Sequence, residues 1–449
     1  MTLLHPGARL IDAATGAVVV PHATGAFADA PPGVVFLRMP TTVDAVLRYV
    51  DAFESGRPLA LLDPALPAEV LTDFVDRFEP AVVAGPLPDE APKGYRVDGD
   101  RWVRESPAAA AHPDLAVLLA TSGSTGNPKL VRLSRAAILA NTASIVAALG
   151  ITGDDVAISS LPFYYSFGMS VLNTHLAAGA TLVVEADGLL GRPFWPAVNT
   201  FGVTSLALVP SQYEILKRLR FDPAKYPALR TLTQAGGRLR PELVEDFHGR
   251  MSAVSGRLFV MYGQTEAAPR LTTLPADRLA EKLGSVGPAV PGGRLSVRLD
   301  DGTETTGADV RGEVLYRGPN VMLGYAETAA DLARGDDQGG LLETGDLGHL
   351  DADGYLYIDG RLKRFGKVFG VRLNLDDIEG MLPGPAAAVA GDDKIVVFVA
   401  QDGNDPSRLR QDLADRLKLH WSGFEVRSVA ALPLLSNGKV DYRALEAAR

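Results

Sequence analysis

Leu115-Ala-Val-Leu-Leu-Ala120, followed directly by Thr121-Ser-Gly-Ser-Thr-Gly-Asn-Pro-Lys129, is the stretch from which the rest of the chain can be read. A short, wholly apolar run with no polar face predicts a strand buried on both sides. The loop after it carries glycines at Gly123 and Gly126, hydroxyls at Ser122, Ser124 and Thr125, and a cation at Lys129. Glycines let a backbone approach a phosphate, hydroxyls donate hydrogen bonds to it, and the lysine supplies charge. A Walker loop is excluded, because no lysine directly follows Gly126. A flexible Ser/Gly linker has the same composition but rarely follows a buried strand.

Downstream, Ser134 is placed to cap a helix whose apolar positions Ile138, Ile145 and Leu149 face one way, with Gly150 as its stop. Further strands are predicted at 156–159, 181–185, 204–209, 229–233 and 258–261, with helices at 212–220 and 241–250 between some of them. That alternation predicts an α/β fold of mainly parallel sheet. The loops at Thr121, Pro162, Pro210, Ala235–Gly237 and Tyr262 all follow the carboxyl end of a predicted strand, the edge where open α/β sheets bind ligands. One composite site is the expectation.

From about Gly292 the pattern turns to hairpins, with turn signals at Asp301–Gly302, Arg317–Gly318 and Asp353–Gly354, and predicts a β subdomain. Asp351-Ala-Asp353-Gly354 lacks the further acids of a calcium loop and reads as a turn. After the basic stretch Arg361-Leu-Lys-Arg364, a strand at 395–399 and a helix at 408–417 predict a small α+β domain.

Composition narrows the function. A formal net charge of −10 argues against nucleic acid as a partner. There is no cysteine, which excludes disulfides, thiolate metal sites and cysteine nucleophiles, and the seven histidines show no HExxH spacing. No basic-then-apolar leader opens the chain, and no apolar stretch reaches the roughly 18 residues of a membrane span. A cytoplasmic location is the expectation.

The phosphate loop resembles the signature of the ANL superfamily, which groups acyl- and aryl-CoA synthetases, peptide-synthetase adenylation domains and luciferases. Four more motifs match in order: Tyr262-Gly-Gln-Thr-Glu266, Thr344-Gly-Asp346, Gly360-Arg361 and Ser436-Asn-Gly-Lys439. The resemblance implies an enzyme that uses ATP and Mg²⁺ to turn a carboxylic acid into its acyl-AMP. The acyl group then passes to CoA, a phosphopantetheine thiol on a separate carrier protein, or an amine. It implies that Thr121–Gly126 and Lys129 hold phosphates, with Thr121 also at the metal. Tyr262 would stack on adenine beside Ala235, Gly236 and Gly237, with Gly263 also binding the nucleotide, Thr265 would contact the α-phosphate and Glu266 would hold Mg²⁺. Asp346 and Arg361 would grip the ribose, and Lys439 would bridge the carboxylate and the α-phosphate. It also implies a large domain over residues 1–362 and a small, mobile C-terminal lid over 363–449. Lys363 would stand at the hinge, and Lys367 would face the site after rotation.

Three positions depart from the family pattern. Leu130 stands where most relatives have glycine, Tyr165 where acyl-CoA synthetases often have histidine, and the segment before the phosphate loop is short, which implies a trimmed N-terminal subdomain. Alignment back from Gly179-Ala180 puts Tyr165, Ser166, Phe167, Ser170, Thr233, Ala235, Met261 and Pro269 around the acyl pocket. Ser166 falls where amino-acid-activating relatives carry the aspartate that anchors an α-ammonium. An aryl or simple acyl acid is therefore expected, with an amino-acid-activating enzyme and a non-catalytic nucleotide-binding homologue as the alternatives.

Overall fold

The computed structural model describes residues 2–120, 129–400 and 405–449, so Thr121, Ser122, Gly123, Ser124, Thr125 and Gly126 lie outside the described residues. Leu115–Ala120 is a strand, parallel to Leu59–Leu62 on one side and antiparallel to Leu130–Ser134 on the other. Leu130 starts that partner strand opposite Ala120 and is fully buried, so its side chain serves the sheet core.

These strands sit within an eight-stranded sheet ordered Gly324–Ala326, Leu130–Ser134, Leu115–Ala120, Leu59–Leu62, Val35–Arg38, Val82–Ala84, Arg101–Arg104, Tyr95–Asp98. A second eight-stranded sheet runs Arg270–Leu274, Arg257–Gly263, Thr231–Gln234, Ser205–Leu208, Val156–Ile158, Thr181–Val184, Arg9–Asp12, Val18–Val19. It is parallel except at its two edge strands. The apolar runs are continuous because both faces are covered. Leu182 and Val184 point into one core and Val183 into another, as the two-residue period of a strand requires.

Helices Val43–Glu54, Arg135–Leu149 and Ser166–Ala178 fill the space between the sheets. Phe194–Thr200, Pro210–Arg218 and Pro241–Ser252 cover the outer face of the second sheet, and Ala68–Phe78 that of the first. Helix Arg135–Leu149 starts where its cap predicts. Ser134 Oγ accepts from the Ala137 amide at 3.0 Å, and Gly150 ends the helix at φ 65°.

The β subdomain is a five-stranded sheet of the strands Arg294–Arg298, Glu304–Thr305, Gly312–Arg317, Leu341–Leu350 and Leu356–Arg361. Asp301–Gly302 and Asp353–Gly354 lie in hairpin turns, but Arg317–Gly318 does not. The chain leaves the sheet there and adds Gly324–Ala326 antiparallel to Leu130–Ser134 in the first large sheet. Asp351 and Asp353 both bind Lys282 Nζ, at 2.8 and 2.5 Å, so those acids are spent on a salt bridge.

The C-terminal segment packs its own core of Val368, Leu375, Ile378, Val397, Leu413 and Phe424 on a three-stranded sheet. Lys363 is exposed in the turn between Leu356–Arg361 and the hairpin Phe365–Val368/Val371–Asn374, and Lys367 is exposed on that hairpin.

Candidate active site

The parallel strands of the second sheet end along one edge, and the loops there carry most of the candidate residues. The Asp353–Gly354 hairpin pairs two motifs across the β subdomain, setting Asp346 opposite Arg361. Asp346 is buried, 6% exposed, and accepts from Tyr262 Oη at 2.5 Å and Gln264 Nε2 at 2.8 Å, with Arg361 Nε 3.5 Å away. Burial raises its pKa above the ordinary carboxylate range, against the pull of Arg361 and the two donors. Burial, and then the Asp346 charge, push the Tyr262 hydroxyl well up, so it stays a donor. Gln264 also donates to the Thr344 carbonyl at 2.8 Å, tying the tyrosine motif to the aspartate motif. Gln264 was not singled out from the sequence, where it is only the variable letter of a motif.

Gly263 and the loop 235–237 flank this network. Gln234 Nε2 holds the Gly237 carbonyl at 2.7 Å. Gly236 takes φ 84°, and a Cβ there would stand 2.5 Å from Tyr165 Oη, so only glycine fits.

Thr265 Oγ1 lies 3.2 Å from Ser166 Oγ, which sets Ser166 beside the candidate phosphate contact. Next to it, Glu266 Oε1 accepts from Tyr325 Oη at 2.8 Å. Lys129 Nζ lies 5.9 Å from the Tyr325 ring centre and pairs with Glu327 at 2.5 Å. Among the described residues no three His, Asp or Glu side chains gather into a metal cage. A single carboxylate beside a phosphate loop suits Mg²⁺, which is commonly held by one or two carboxylates plus substrate phosphates.

Lys439 reaches the same place from the C-terminal segment. Its loop is closed by an antiparallel bridge between Leu434 and Val440 and by the Gly438 amide on the Leu435 carbonyl at 2.9 Å. Two contacts clasp the loop to the large domain: Ser211 Oγ on the Gly438 carbonyl and Ser436 Oγ on Asp63 Oδ2, both 2.9 Å. Gly438 adopts φ 78°, and a Cβ would meet Val209 at 2.8 Å. Lys439 Nζ then sits 5.4 Å from the centre of the Tyr165 ring. Burial and the Arg361 charge lower its pKa, while Glu266 and Asp346 act in the opposite sense.

Tyr165, Phe167, Ala235 and Met261 share one apolar cluster with Leu161, Ala207 and Val209. Beneath it runs a cleft lined by Phe167, Ser170, Thr233 and Met261, together with His175 and Arg270. Pro269 is buried outside this lining, and its carbonyl accepts from the Gln264 amide at 2.9 Å. The sequence reading missed Arg270. Its one visible signal is a charge at the head of Arg270–Leu274, a strand with every residue buried.

The chain matches the AMP-binding enzyme family over residues 29–326. It is 32% identical to an indoleacetate–CoA ligase of Aromatoleum aromaticum over 73% of this chain and 66% of that one. It is 27% identical to an oxalate–CoA ligase of Arabidopsis thaliana over 92% of this chain and 88% of that one. ATP-bound MatB from Rhodopseudomonas palustris superposes with a TM-score of 0.79 at 22% identity, covering 99% of this chain and 96% of that one. No helix among the described residues is long and apolar enough to cross a membrane. The chain belongs to the AMP-binding enzyme family, in the adenylate-forming ANL superfamily.

Proposed function

We propose that the chain, an AMP-forming acid ligase like the relatives it aligns with, adenylates a short or flat carboxylic acid with ATP and passes the acyl group to CoA. The observation that carries this reading is Lys439, delivered by a clasped loop to the edge where Tyr165, Glu266, Asp346 and Arg361 converge. A carboxylate attacking a phosphate of like charge needs cations that neutralise both partners, and Lys439 and Lys129 are the side chains positioned to do so. Asp346 and Arg361 would hold the ribose, since an ionised carboxylate can accept from two hydroxyls. The faces of Tyr262 and the backbone at Ala235–Gly237 would take the adenine. Glu266 and Thr121 would hold Mg²⁺, which would offset the phosphate charge. CoA is preferred as acceptor because both relatives named above are CoA ligases. A thiol on a separate carrier protein is the second acceptor to try.

The test is acid-dependent exchange of labelled pyrophosphate into ATP across aryl, acyl and amino acids, followed by loss of free CoA thiol with the acids that score. Within that panel, α-amino acids are expected to do no better than their des-amino counterparts. Ser166 carries no charge, and the one carboxylate lining the cleft among the described residues, Asp155, is already held by Arg230 at 2.9 Å and by the Thr152 amide at 2.8 Å. An ammonium in the cleft would lack a counter-ion, at a cost of ~3–5 kcal/mol by analogy with broken buried pairs. Preference for the amino acid by more than about tenfold, roughly 1.4 kcal/mol, would overturn this assignment.

A further inference from the structure

Arg270 is 1% exposed, yet among the described residues its guanidinium has no carboxylate partner and no hydrogen bond, and its Nε is wholly enclosed. Its guanidinium carbon lies 5.1 Å from the centre of the Phe167 ring. Arg132, buried as completely, shows the usual solution: it bonds Asp337 and the carbonyls of Leu323, Tyr325 and Gly335. An unpaired charge out of water is costly, and burial pushes the Arg270 pKa down to about 10. Even so it stays protonated at neutral pH, so the site keeps a cation with nothing to neutralise it.

The backbone leaves this side chain little freedom to escape. The Arg270 amide donates to Asn141 Oδ1 at 3.1 Å, and its carbonyl accepts from Asn141 Nδ2 and Asn320 Nδ2, both at 2.9 Å. The guanidinium faces the cleft that also holds Phe167, Ser170, Thr233 and Met261. The other ionisable groups of that cleft are accounted for. Asp155 is paired with Arg230, Arg257 is exposed at the outer end, and His175 is kept neutral by burial while it bonds the Val171 carbonyl at 2.8 Å. Arg270 is the cation left over.

Its position relative to Lys439 gives the charge a use. Lys439 lies 5.4 Å from the Tyr165 ring, Tyr165 and Phe167 meet edge to face at 6.5 Å, and Arg270 lies over Phe167. Two cations thus stand at opposite ends of an aromatic pair. One serves the reacting carboxylate. We infer that the other receives a second, distal oxyanion of the substrate, so that the acid activated is a short dianion bearing a terminal carboxylate or sulfonate. A planar guanidinium matches either group with two parallel hydrogen bonds. The same charge repels an α-ammonium, and a long apolar tail would leave it buried without a partner.

This inference rests on the adenylation reading above, and the experiment separates the two. Pyrophosphate exchange is measured with matched acids on one carbon skeleton: the monoacid, its ω-carboxylate and its ω-sulfonate. Wild-type enzyme is expected to prefer a dianion over the monoacid by more than about tenfold in kcat/KM. Arg270→Gln is expected to abolish that preference, with Arg270→Lys intermediate because it keeps charge but loses the fork. The carboxylate and sulfonate arms identify which oxyanion is read. Absence of exchange with every acid would sink the adenylation reading itself. Exchange without preference for a second anion in wild type, or an undiminished preference in Arg270→Gln, would overturn the role of Arg270 and leave the ligase standing. The wild-type comparison needs no variant, so a poorly folding Arg270→Gln would not shield the idea.

Discussion

Lys439→Ala is expected to lower acid-dependent pyrophosphate–ATP exchange by on the order of 100- to 1000-fold, the usual loss of one preorganised transition-state donor. Thioester formation from supplied acyl-AMP is expected to be largely spared. The lysine loop is fastened to the rest of the chain through exposed or half-buried side-chain hydrogen bonds, among them Ser211 on Gly438 and Ser436 on Asp63. Such a contact can be released, and the ANL resemblance implies a lid that rotates about Lys363 between the half-reactions. A lysine removed from the site by that rotation does nothing in the second step. Equal losses in both half-reactions would show that Lys439 stays in place and that no such alternation occurs. The pH profile supplies an independent check. Burial and Arg361 lower the Lys439 pKa, and the lysine acts as a cation, so free-enzyme kcat/KM should fall as pH rises through a value below the ordinary lysine range. Lys439→Arg should move that limb upward.

Much of this site was legible because its parts are local in sequence. The strand at 115–120, the tyrosine and aspartate motifs and the C-terminal lysine each declare themselves within a few residues, and the hairpin at Asp353–Gly354 explains why Asp346 and Arg361 meet. What was not legible depends on distant pairing. Arg9–Asp12 joins the second sheet beside Thr181–Val184, and nothing in four residues announces that partner. The strand Gly324–Ala326 joins the first sheet by a similar long return, which is why Arg317–Gly318 looked like one more hairpin turn. Arg270 was missed for a related reason. Its lack of a partner is a property of the whole packed neighbourhood, and a single arginine in sequence is far more often a solvated one. Ser166 was read as a pocket residue, and only the fold reveals that its hydroxyl meets Thr265.

Glu266→Gln is the second change expected to be severe, lowering exchange on the order of 100-fold with a higher Mg²⁺ requirement. The substitution keeps the shape and removes the charge, so the loss reports the carboxylate alone. Glu266 stands beside Thr265, and its Oε1 is fixed by the Tyr325 hydroxyl at 2.8 Å. Tyr325 in turn underlies Lys129, whose other neighbour is Glu327 at 2.5 Å. Lys129 is thus balanced by Glu327, and Glu266 is aimed by a phenol. Tyr325→Phe separates aim from charge. It leaves the carboxylate in place but frees its orientation, and a loss of about 10-fold in apparent Mg²⁺ affinity is expected, the typical cost of removing a partner that orients a ligand. Titrating Mg²⁺ at fixed ATP for the wild type and both variants reads this order directly. Undiminished exchange in Glu266→Gln, with the Mg²⁺ dependence unchanged, would remove Glu266 from the metal. The phosphates would then have to carry their cation without it, through Thr121 and the loop ahead of Lys129.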